Sequence, residues 1–188
     1  MSADARELIQ ASISAHEALL AEEPLEAIAR AAEAIAEALR AGHKLLLFGN
    51  GGSASDATHI AAEFLGRFQR ERRSLPAIAL SDNSSAITAI ANDFGFEHVF
   101  ARQLRGLGAP GDIAIAISTS GRSANVLAGV AAARELGLRT IALTGGGGEL
   151  AAAVDIAIAV PAAETARVQE AHILIAHVLC ELVEREIE

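Results

Sequence analysis

Residues 44–54 are Lys-Leu-Leu-Leu-Phe-Gly-Asn-Gly-Gly-Ser-Ala, and this stretch decides the fold. After Lys44 the stretch is apolar as far as Phe48, and a glycine-rich loop follows that opens onto a helical pattern. A short apolar run bounded by glycine is typical of a strand buried on both faces of a parallel sheet. The stretch therefore predicts a β-strand, a tight loop and a helix in succession.

The same alternation continues along the rest of the chain. Further strands are predicted at Pro76–Leu80, Asp112–Ile117, Arg139–Leu143 and Asp155–Val160, after the first at Lys44–Phe48. Helices are predicted at Ala54–Phe64, Ser84–Ala91, Ser123–Leu136 and Glu149–Ala153, and from about Ala166 to Glu186. Strands that alternate with helices in this way predict an α/β fold, with helices on both faces of a doubly wound, mostly parallel five-stranded sheet and right-handed crossovers.

Residues 1–42 precede the first strand and carry two helical patterns. Pro24 suits the first turn of the second helix, and Gly42 lies just beyond its expected end. Aromatic residues make up only 3% of the chain, so its core is built from small aliphatic side chains. We expect one domain over residues 1–188, with the N-terminal helical pair used in oligomerisation, because subunit contacts add apolar burial.

Composition and charge exclude several classes of protein. The 188 residues carry a formal net charge of −9, which argues against nucleic acid as a partner. Cys180 is the single cysteine, so an internal disulfide framework is excluded and a reducing compartment is indicated. No apolar run reaches the roughly 18 residues of a membrane span, and the N-terminus does not have the pattern of a signal peptide. We expect a soluble, cytoplasmic protein.

One basic cluster, Arg67-Phe68-Gln69-Arg70-Glu71-Arg72-Arg73, stands out against the acidic background. A charged run of this kind is usually a solvated loop. The alternative is that one of its arginines recognises an anion.

Ligands of open α/β sheets bind beyond the carboxyl ends of the strands, so the loops there are the candidate binding elements. In the first loop, Gly49, Gly51 and Ala54 match a dinucleotide fingerprint. That fingerprint also needs an acidic residue about 20 positions further on, whereas Asp82 is the acid that ends the next strand, 33 residues after Gly49. A phosphate held by glycine backbone and by Ser53 at a helix N-terminus is the hypothesis that remains.

The second loop, Ser118-Thr119-Ser120-Gly121-Arg122-Ser123, places four hydroxyl groups within six residues ahead of a helix. The hydroxyls could form a second anion cradle, or Ser123 could serve only as a helix N-cap. Because each of the two loops follows the carboxyl end of a predicted strand, phosphate binding is the favoured interpretation. The Gly145–Gly148 run is interpreted as a flexible turn.

Possible catalytic groups lie on two of the predicted helices. His59 and Glu63 are four residues apart and share a helix face, although such a pair could equally be a surface ion pair. On the last helix, Gln169, His172 and His177 lie among apolar residues, where a histidine is more often a core residue than a ligand. Eight residues span about 12 Å of helix, so Gln169 and His177 could barely reach one ion unless two subunits converge.

Together these motifs resemble the phosphoheptose isomerases, which are sedoheptulose 7-phosphate isomerases built on the sugar-isomerase (SIS) domain. The resemblance covers nearly the whole chain. It rests on Gly49-Asn50-Gly51-Gly52-Ser53, on His59 and Glu63, on Ala91-Asn92-Asp93-Phe94-Gly95, on Ser118-Thr119-Ser120-Gly121 with Ser123, and on Gln169 and His177.

The resemblance implies an enzyme that converts sedoheptulose 7-phosphate into D-glycero-D-manno-heptose 7-phosphate for bacterial surface polysaccharide. It also implies a homotetramer with active sites at subunit interfaces and one zinc per subunit. It assigns the zinc ligands to His59, Glu63, Gln169 and His177, and the acid–base pair to Glu63 and His177. It assigns substrate contacts to Asn50, Gly51, Gly52, Ser53, Glu63, Asn92, Asp93, Ser118, Thr119, Ser120, Ser123 and Gln169, with Ser53, Ser118, Ser120 and Ser123 holding the phosphate.

These residue types suit the chemistry, because aldose–ketose isomerisation moves a proton between C1 and C2 through an enediol. Zinc could polarise substrate oxygens or only hold the pair in place. One tension is that Glu63 cannot give both oxygens to zinc and still act as a free base. Some members of the family differ at the positions of Ala54, Ser55, Arg122 and Ala166, which could alter rate or sugar preference.

Two alternatives to this function remain at the level of sequence. One is a non-catalytic SIS module that binds a bacterial replication initiator, a branch that lacks counterparts of Glu63 and His177. The other is an isomerase of a different phosphosugar, since no single residue measures the length of the sugar.

Overall fold

The computed structural model describes residues 1–146 and 148–187 and contains one five-stranded sheet. Its strands are β1 (Leu45–Gly49), β2 (Ala77–Ala79), β3 (Ile113–Ser118), β4 (Arg139–Gly145) and β5 (Ile156–Val160). The spatial order is β2-β1-β3-β4-β5, and every neighbouring pair is parallel. The predicted α/β fold is confirmed, and the sheet is entirely parallel where the sequence indicated a mostly parallel one.

Burial along the strands follows their position in the sheet. Every residue of β1 and β3 is buried, as the continuously apolar sequence predicts for strands covered on both faces. The edge strands β2 and β5 instead alternate between buried and more accessible residues, and Ile78 on β2 is 39% exposed. The sequence patterns of the inner and edge strands are similarly apolar, so only the three-dimensional order distinguishes them.

Helices cover both faces of the sheet. They are α1 (Ser2–Glu17), α2 (Glu22–Arg40), α3 (Gly52–Leu65), α4 (Ser84–Phe94), α5 (Val99–Leu107), α6 (Ala124–Glu135), α7 (Glu149–Ala153) and α8 (Thr165–Glu186), with 3₁₀ turns at Ala18–Leu20 and Phe96–His98. One apolar layer joins α2, α3 and α8 to the sheet, and the other joins α5 and α6. Helix α5 was not predicted, although Phe100, Leu104 and Leu107 recur at helical spacing within its nine residues.

The two helices ahead of β1 differ in their relation to the core. Helix α2 buries ten of its residues and packs against α8 and β5, so it is part of one helical layer. Pro24 lies in its first turn, as predicted. Helix α1 packs mainly on α8 and leaves Leu8, Ile9 and Ile13 exposed. Helix α1 therefore leaves apolar surface uncovered within the single chain, as do Phe94 and Phe96 elsewhere.

Strand order also locates the point where a ligand can bind. From β1 the chain crosses to β2 on one side and then to β3 on the other side, so the direction of winding reverses between β1 and β3. In open α/β sheets the crevice beyond the carboxyl ends of such a pair is the usual ligand site. Both Gly/Ser-rich loops leave the sheet at this crevice. Among the described residues, no helix is long and apolar enough to cross a membrane.

Candidate active site

The first loop, residues 49–53, turns sharply from β1 into α3. A side chain at Gly49 would bring its Cβ within 2.8 Å of both the Ile117 carbonyl oxygen and the Ser53 Cβ, so only glycine fits there. Gly51 adopts a φ of +56°, a region that favours glycine. Ser53 is buried in the first turn of α3, and its backbone N–H donates to the Asn50 carbonyl oxygen at 3.0 Å. The backbone is thus shaped to bring a helix N-terminus close to a ligand.

The second loop, residues 118–123, is folded around the hydroxyl of Ser118. This oxygen accepts the Gly121 backbone N–H at 3.2 Å and lies 3.3 Å from the Ser123 hydroxyl. Ser123 occupies the N-cap position of α6, but its hydroxyl makes no capping hydrogen bond. The capping alternative is therefore not supported, and the Ser118 and Ser123 hydroxyls face each other at the start of a helix.

A cleft of about 500 Å³ lies beside this second loop. Thr119, Ser120 and Arg122 line one side of it. The remaining lining residues are Gly145 and Gly146, which the sequence analysis interpreted as part of a turn, and Pro161, Ala162 and Ala163, which it did not name. Gly147, part of the run interpreted as a turn, lies outside the described residues. Hydroxyls, a guanidinium and glycine backbone around one cleft suit an anionic group such as a phosphate.

The two loops are tied together by a pair of amides. Asn50 Nδ2 donates to Asn125 Oδ1 at 2.8 Å, and Asn125 Nδ2 donates to Asn50 Oδ1 at 2.9 Å. Asn125 lies in the first turn of α6 and is buried. Asn125 was not identified from the sequence, where its only signal is that it is a polar residue two positions after Ser123. The amide pair holds the loops after β1 and β3 at a set spacing.

The proposed acid–base residues meet where α3 and α8 pack together. His59 Nε2 lies 3.0 Å from His177 Nε2, and Glu63 Oε1 lies 3.5 Å from His59 Nε2. The Phe68 ring stacks on the His177 ring, with centroids 5.3 Å apart and planes 28° apart. The structure therefore brings His177 against His59, which lies 118 positions earlier in the chain and pairs with Glu63 on the same helix.

Gln169 lies elsewhere on the same helix pair. Its carboxamide covers Gly52, where an added Cβ would come within 1.9 Å of Gln169 Nε2. In the described part of the chain, no hydrogen bond joins Gln169 to His59, Glu63 or His177. Gln169 thus contacts the first loop, and the single chain does not show it beside the other three.

The donor set at α3 and α8 suits zinc in its chemistry. Two imidazoles and a carboxylate are common zinc ligands, and two nitrogens on one tetrahedral zinc lie about 3.3 Å apart, close to the separation of the two Nε2 atoms. Within residues 1–146 and 148–187, however, no group of three or more His, Cys, Asp or Glu side chains is placed to hold a metal ion. The types of donor atom suit a zinc ion, but the side chains of the single chain do not form its coordination shell.

Asn92 and Asp93 lie away from both loops in the single chain. They occupy the last turn of α4, where Asn92 Nδ2 donates to Asp93 Oδ1 at 2.8 Å. Asp93 lines a separate cavity of about 420 Å³ together with Phe94 and Arg102. Helix α4 has no buried residue in the single chain. These two predicted substrate contacts therefore do not join the site that the other residues form.

Two buried titratable groups lie close to the site in sequence. Burial raises the pKa of Asp56 to about 6, opposed by the charge of His59, and its Oδ2 makes no hydrogen bond among the described residues. Burial lowers the pKa of His172 to about 4, so its imidazole is neutral at pH 7. His172 is fully buried, in agreement with the interpretation of a core histidine.

The basic cluster at residues 67–73 is only partly solvated. Arg67 and Arg70 are exposed, as a solvated loop predicts. Arg73 donates to the Leu39 carbonyl oxygen at 3.0 Å, and the Arg72 side chain is only 3% exposed. Two arginines of the cluster therefore have structural contacts that neither interpretation anticipated.

Comparison with known proteins identifies one domain family and several phosphoheptose isomerases of 40% identity or more. The SIS domain family matches residues 9–145. The phosphoheptose isomerase of Roseiflexus sp. (strain RS-1) is 59% identical over 155 residues, covering 82% of this chain and 79% of that protein. That of Geotalea daltonii is 50% identical over 185 residues, covering 96% of each. The structure of a phosphoheptose isomerase from Francisella tularensis superposes with a TM-score of 0.93 at 40% identity, covering 98% of this chain and 99% of that one. The Neisseria gonorrhoeae phosphoheptose isomerase gives 0.86 at 44% identity, covering 98% and 96%.

Proposed function

This chain belongs to the phosphoheptose isomerase family of SIS-domain proteins, and from that premise we propose that it interconverts sedoheptulose 7-phosphate and D-glycero-D-manno-heptose 7-phosphate. One observation carries the proposal. Helix α3 starts at the end of the first loop and presents His59 to His177 of α8, with Glu63 paired to His59 one turn further along. A phosphate-binding end and an acid–base end are thereby built on one helix.

The loops at the β1–β3 crevice hold the phosphate in this proposal. Ser118, Ser120 and Ser123 supply hydroxyl donors beside the N-terminus of α6, and Ser53 lies at the N-terminus of α3. Both helix dipoles favour an anion at these ends. Asn50, Gly51 and Gly52 line the sugar, with Thr119 and Gln169 beside them. Fixing the phosphate presents C1 and C2 of the substrate to the catalytic groups.

Glu63 and His177 carry out the proton transfers in this proposal. For the ketose, Glu63 removes the C1 proton as the C2 carbonyl becomes an enediol hydroxyl. The proton is then returned to C2 while the O1 proton is lost and the C1 aldehyde forms. His177 serves as the partner that gives or takes the oxygen proton. General acid–base catalysis of this kind contributes about 10²–10⁴-fold to the rate.

We propose one zinc ion per subunit, held by His59, Glu63 and His177, with Gln169 as the fourth ligand that the family resemblance implies. When bound, such an ion polarises substrate oxygens. The support is the convergence of two imidazoles and a carboxylate at α3 and α8. If Glu63 gave only one oxygen to such an ion, its other oxygen would remain able to act as the base.

A substrate panel tests the proposed function directly. The purified protein should interconvert sedoheptulose 7-phosphate and its aldose, and should turn over six-carbon and five-carbon ketose phosphates at least about tenfold more slowly, because a missing carbon shifts the reacting end relative to the anchored phosphate. Aldose formation can be followed by NMR. No turnover of any sugar phosphate would support the non-catalytic SIS module, and faster turnover of another ketose phosphate would support the second alternative.

We also propose a homotetramer whose active sites lie at subunit interfaces. Exposed Leu8, Ile9 and Ile13 on α1 provide apolar surface for such contacts. Helix α4, which carries Asn92 and Asp93, buries no residue within its own subunit. A neighbouring subunit could therefore bring Asn92 and Asp93 to the loops that they do not reach within one chain.

Light scattering checks this assembly. The protein should have a mass close to four times the 19.4 kDa of one chain. Ile9→Glu should yield smaller species, because a charge on the α1 surface cannot be buried without a large penalty. Glu7→Lys, an exposed position on the opposite face of the same helix from Ile9, serves as the control and should leave the mass unchanged. A monomeric wild-type protein would contradict the shared site.

A further inference from the structure

Arg72 binds the C-terminal end of the helix that carries the proposed base. Its Nη2 donates to the Glu63 carbonyl oxygen at 2.9 Å, and its Nη1 donates to the Phe64 carbonyl oxygen at 3.0 Å. The last four carbonyls of an α-helix lack partners within the helix, and a cation there also complements the helix dipole. Arg72 therefore fixes the backbone of Glu63 itself.

On its other side, the Arg72 guanidinium contacts Glu184 of α8. Arg72 Nε lies 3.0 Å from Glu184 Oε1, an ion pair in which the two side chains are 3% and 1% exposed, although the Nε–H is not aligned for a hydrogen bond. The same carboxylate accepts the backbone N–H groups of Phe68 at 2.8 Å and of Gln69 and Arg70 at 2.9 Å each. Although burial opposes ionisation, these hydrogen bonds and Arg72 hold the pKa of Glu184 below its usual range, so it is a carboxylate at pH 7.

This carboxylate also fixes Phe68, the ring that stacks on His177. Glu184 follows His177 by seven residues, which is two turns along the same face of α8. The backbone N–H of Phe68 is bonded to Glu184 and its ring lies against the His177 imidazole. The contacts of Glu184 thus reach both members of the Glu63–His177 pair, one through Arg72 and one through Phe68.

We propose that Arg72 and Glu184 form a buried strut that sets the position of Glu63 on α3 relative to His177 on α8, with Phe68 holding the His177 ring. Both are positioning residues, since they act through Glu63, Phe68 and His177. A buried ion pair often contributes little net stability compared with apolar residues of the same volume. Its geometry, which ties two helices through several directed bonds, is what an apolar pair could not supply. The inference rests on the proposed roles of Glu63 and His177.

Glu184→Gln tests the strut in the full-length protein. The amide keeps the shape but presents N–H groups to backbone N–H donors, so the 68–70 backbone should shift. We expect kcat to fall by about 10–100-fold with KM changed less than about threefold, since misplacing a catalytic group costs rate more than binding. The NMR signal of the His177 Cε1 proton should also move, because the ring current of Phe68 is displaced.

Asp112→Asn is the matched control. Asp112 is likewise a buried carboxylate that accepts two backbone N–H groups, from Lys44 and Ala109, and pairs with the Lys44 ammonium. It lies just before β3, at the amino ends of the strands, whereas the loops follow their carboxyl ends. Its substitution should lower stability but leave kcat and the His177 signal at wild-type values.

Two further variants keep the test decisive if Glu184→Gln does not fold. Phe68→Leu removes the ring that lies against His177 and should lower kcat, while Arg72→Lys retains the charge but loses the forked contacts to α3 and should lower kcat and shift the His177 signal. If folded Glu184→Gln, or Arg72→Lys in its place, matches wild type in kcat and in the His177 signal, the strut is disproved. The NMR measurement does not depend on the substrate, so it still decides the inference if the isomerase activity itself is absent.

Discussion

Glu63→Gln should lower kcat for sedoheptulose 7-phosphate by about 10²–10⁴-fold, because an amide cannot accept the C1 proton. KM should change far less, since the proposed phosphate contacts lie in the two loops and not at Glu63. The fold should persist, because the one ion pair that the Glu63 side chain makes among the described residues is the 3.5 Å contact with His59, and the side chain is 23% exposed. Turnover by NMR and secondary structure by circular dichroism measure both effects.

Glu135→Gln is the control for this substitution. Glu135 is the last residue of α6, at the end of the helix away from the loops, and pairs with Arg105 on the surface. The change from carboxylate to amide is the same, but no catalytic group lies beside it, so kcat should remain at the wild-type value. Normal turnover by a folded Glu63→Gln variant would remove Glu63 from the role of base.

His177→Ala should abolish both activity and metal binding. Purified wild-type protein should contain close to one zinc per subunit, and the variant should lose most of it, because removal of one of three or four ligands leaves an incomplete coordination shell. Loss of a metal ligand should cost at least the 10–100-fold in affinity that outer-shell substitutions typically cost. Elemental analysis after dialysis measures the zinc content.

His43→Ala separates a lost ligand from a lost histidine. His43 precedes β1 at the amino ends of the strands, away from the loops, and its Nδ1 lies 3.8 Å from Asp112 Oδ1. Its removal should leave zinc content and turnover unchanged. Full zinc content in His177→Ala would exclude His177 as a ligand, and zinc retained without turnover would leave it only the acid–base role.

Much of the site was predictable because its residues lie in short local motifs. Gly49–Ser53 and Ser118–Ser123 are recognisable from loop composition, and each follows an apolar run that proved to be a strand. His59 and Glu63 share a helix face by their spacing alone. Local patterns of this kind depend on backbone geometry over a few residues, which neighbouring residues largely set.

Other contacts could not be inferred from local patterns. Asn125, Phe68 and Glu184 gave no motif, because each acts on a residue that is 75 or more positions away or on another helix. Arg72 belonged to a basic run that is usually solvated, yet its side chain is buried against Glu184. Whether a charge is buried depends on what packs over it, and that is a property of the assembled layers.

By itself the sequence determined the alternation of strands and helices, the two loops and the residue types that a phosphosugar isomerase needs. Those features follow from hydrophobic period and from the backbone freedom of glycine. Only the tertiary structure decided that β1 and β3 are neighbours, which places both loops at one crevice, and that α3 and α8 meet at His59 and His177. Strand order and helix packing depend on contacts between distant parts of the chain, and the spacing of residues along the sequence does not encode them.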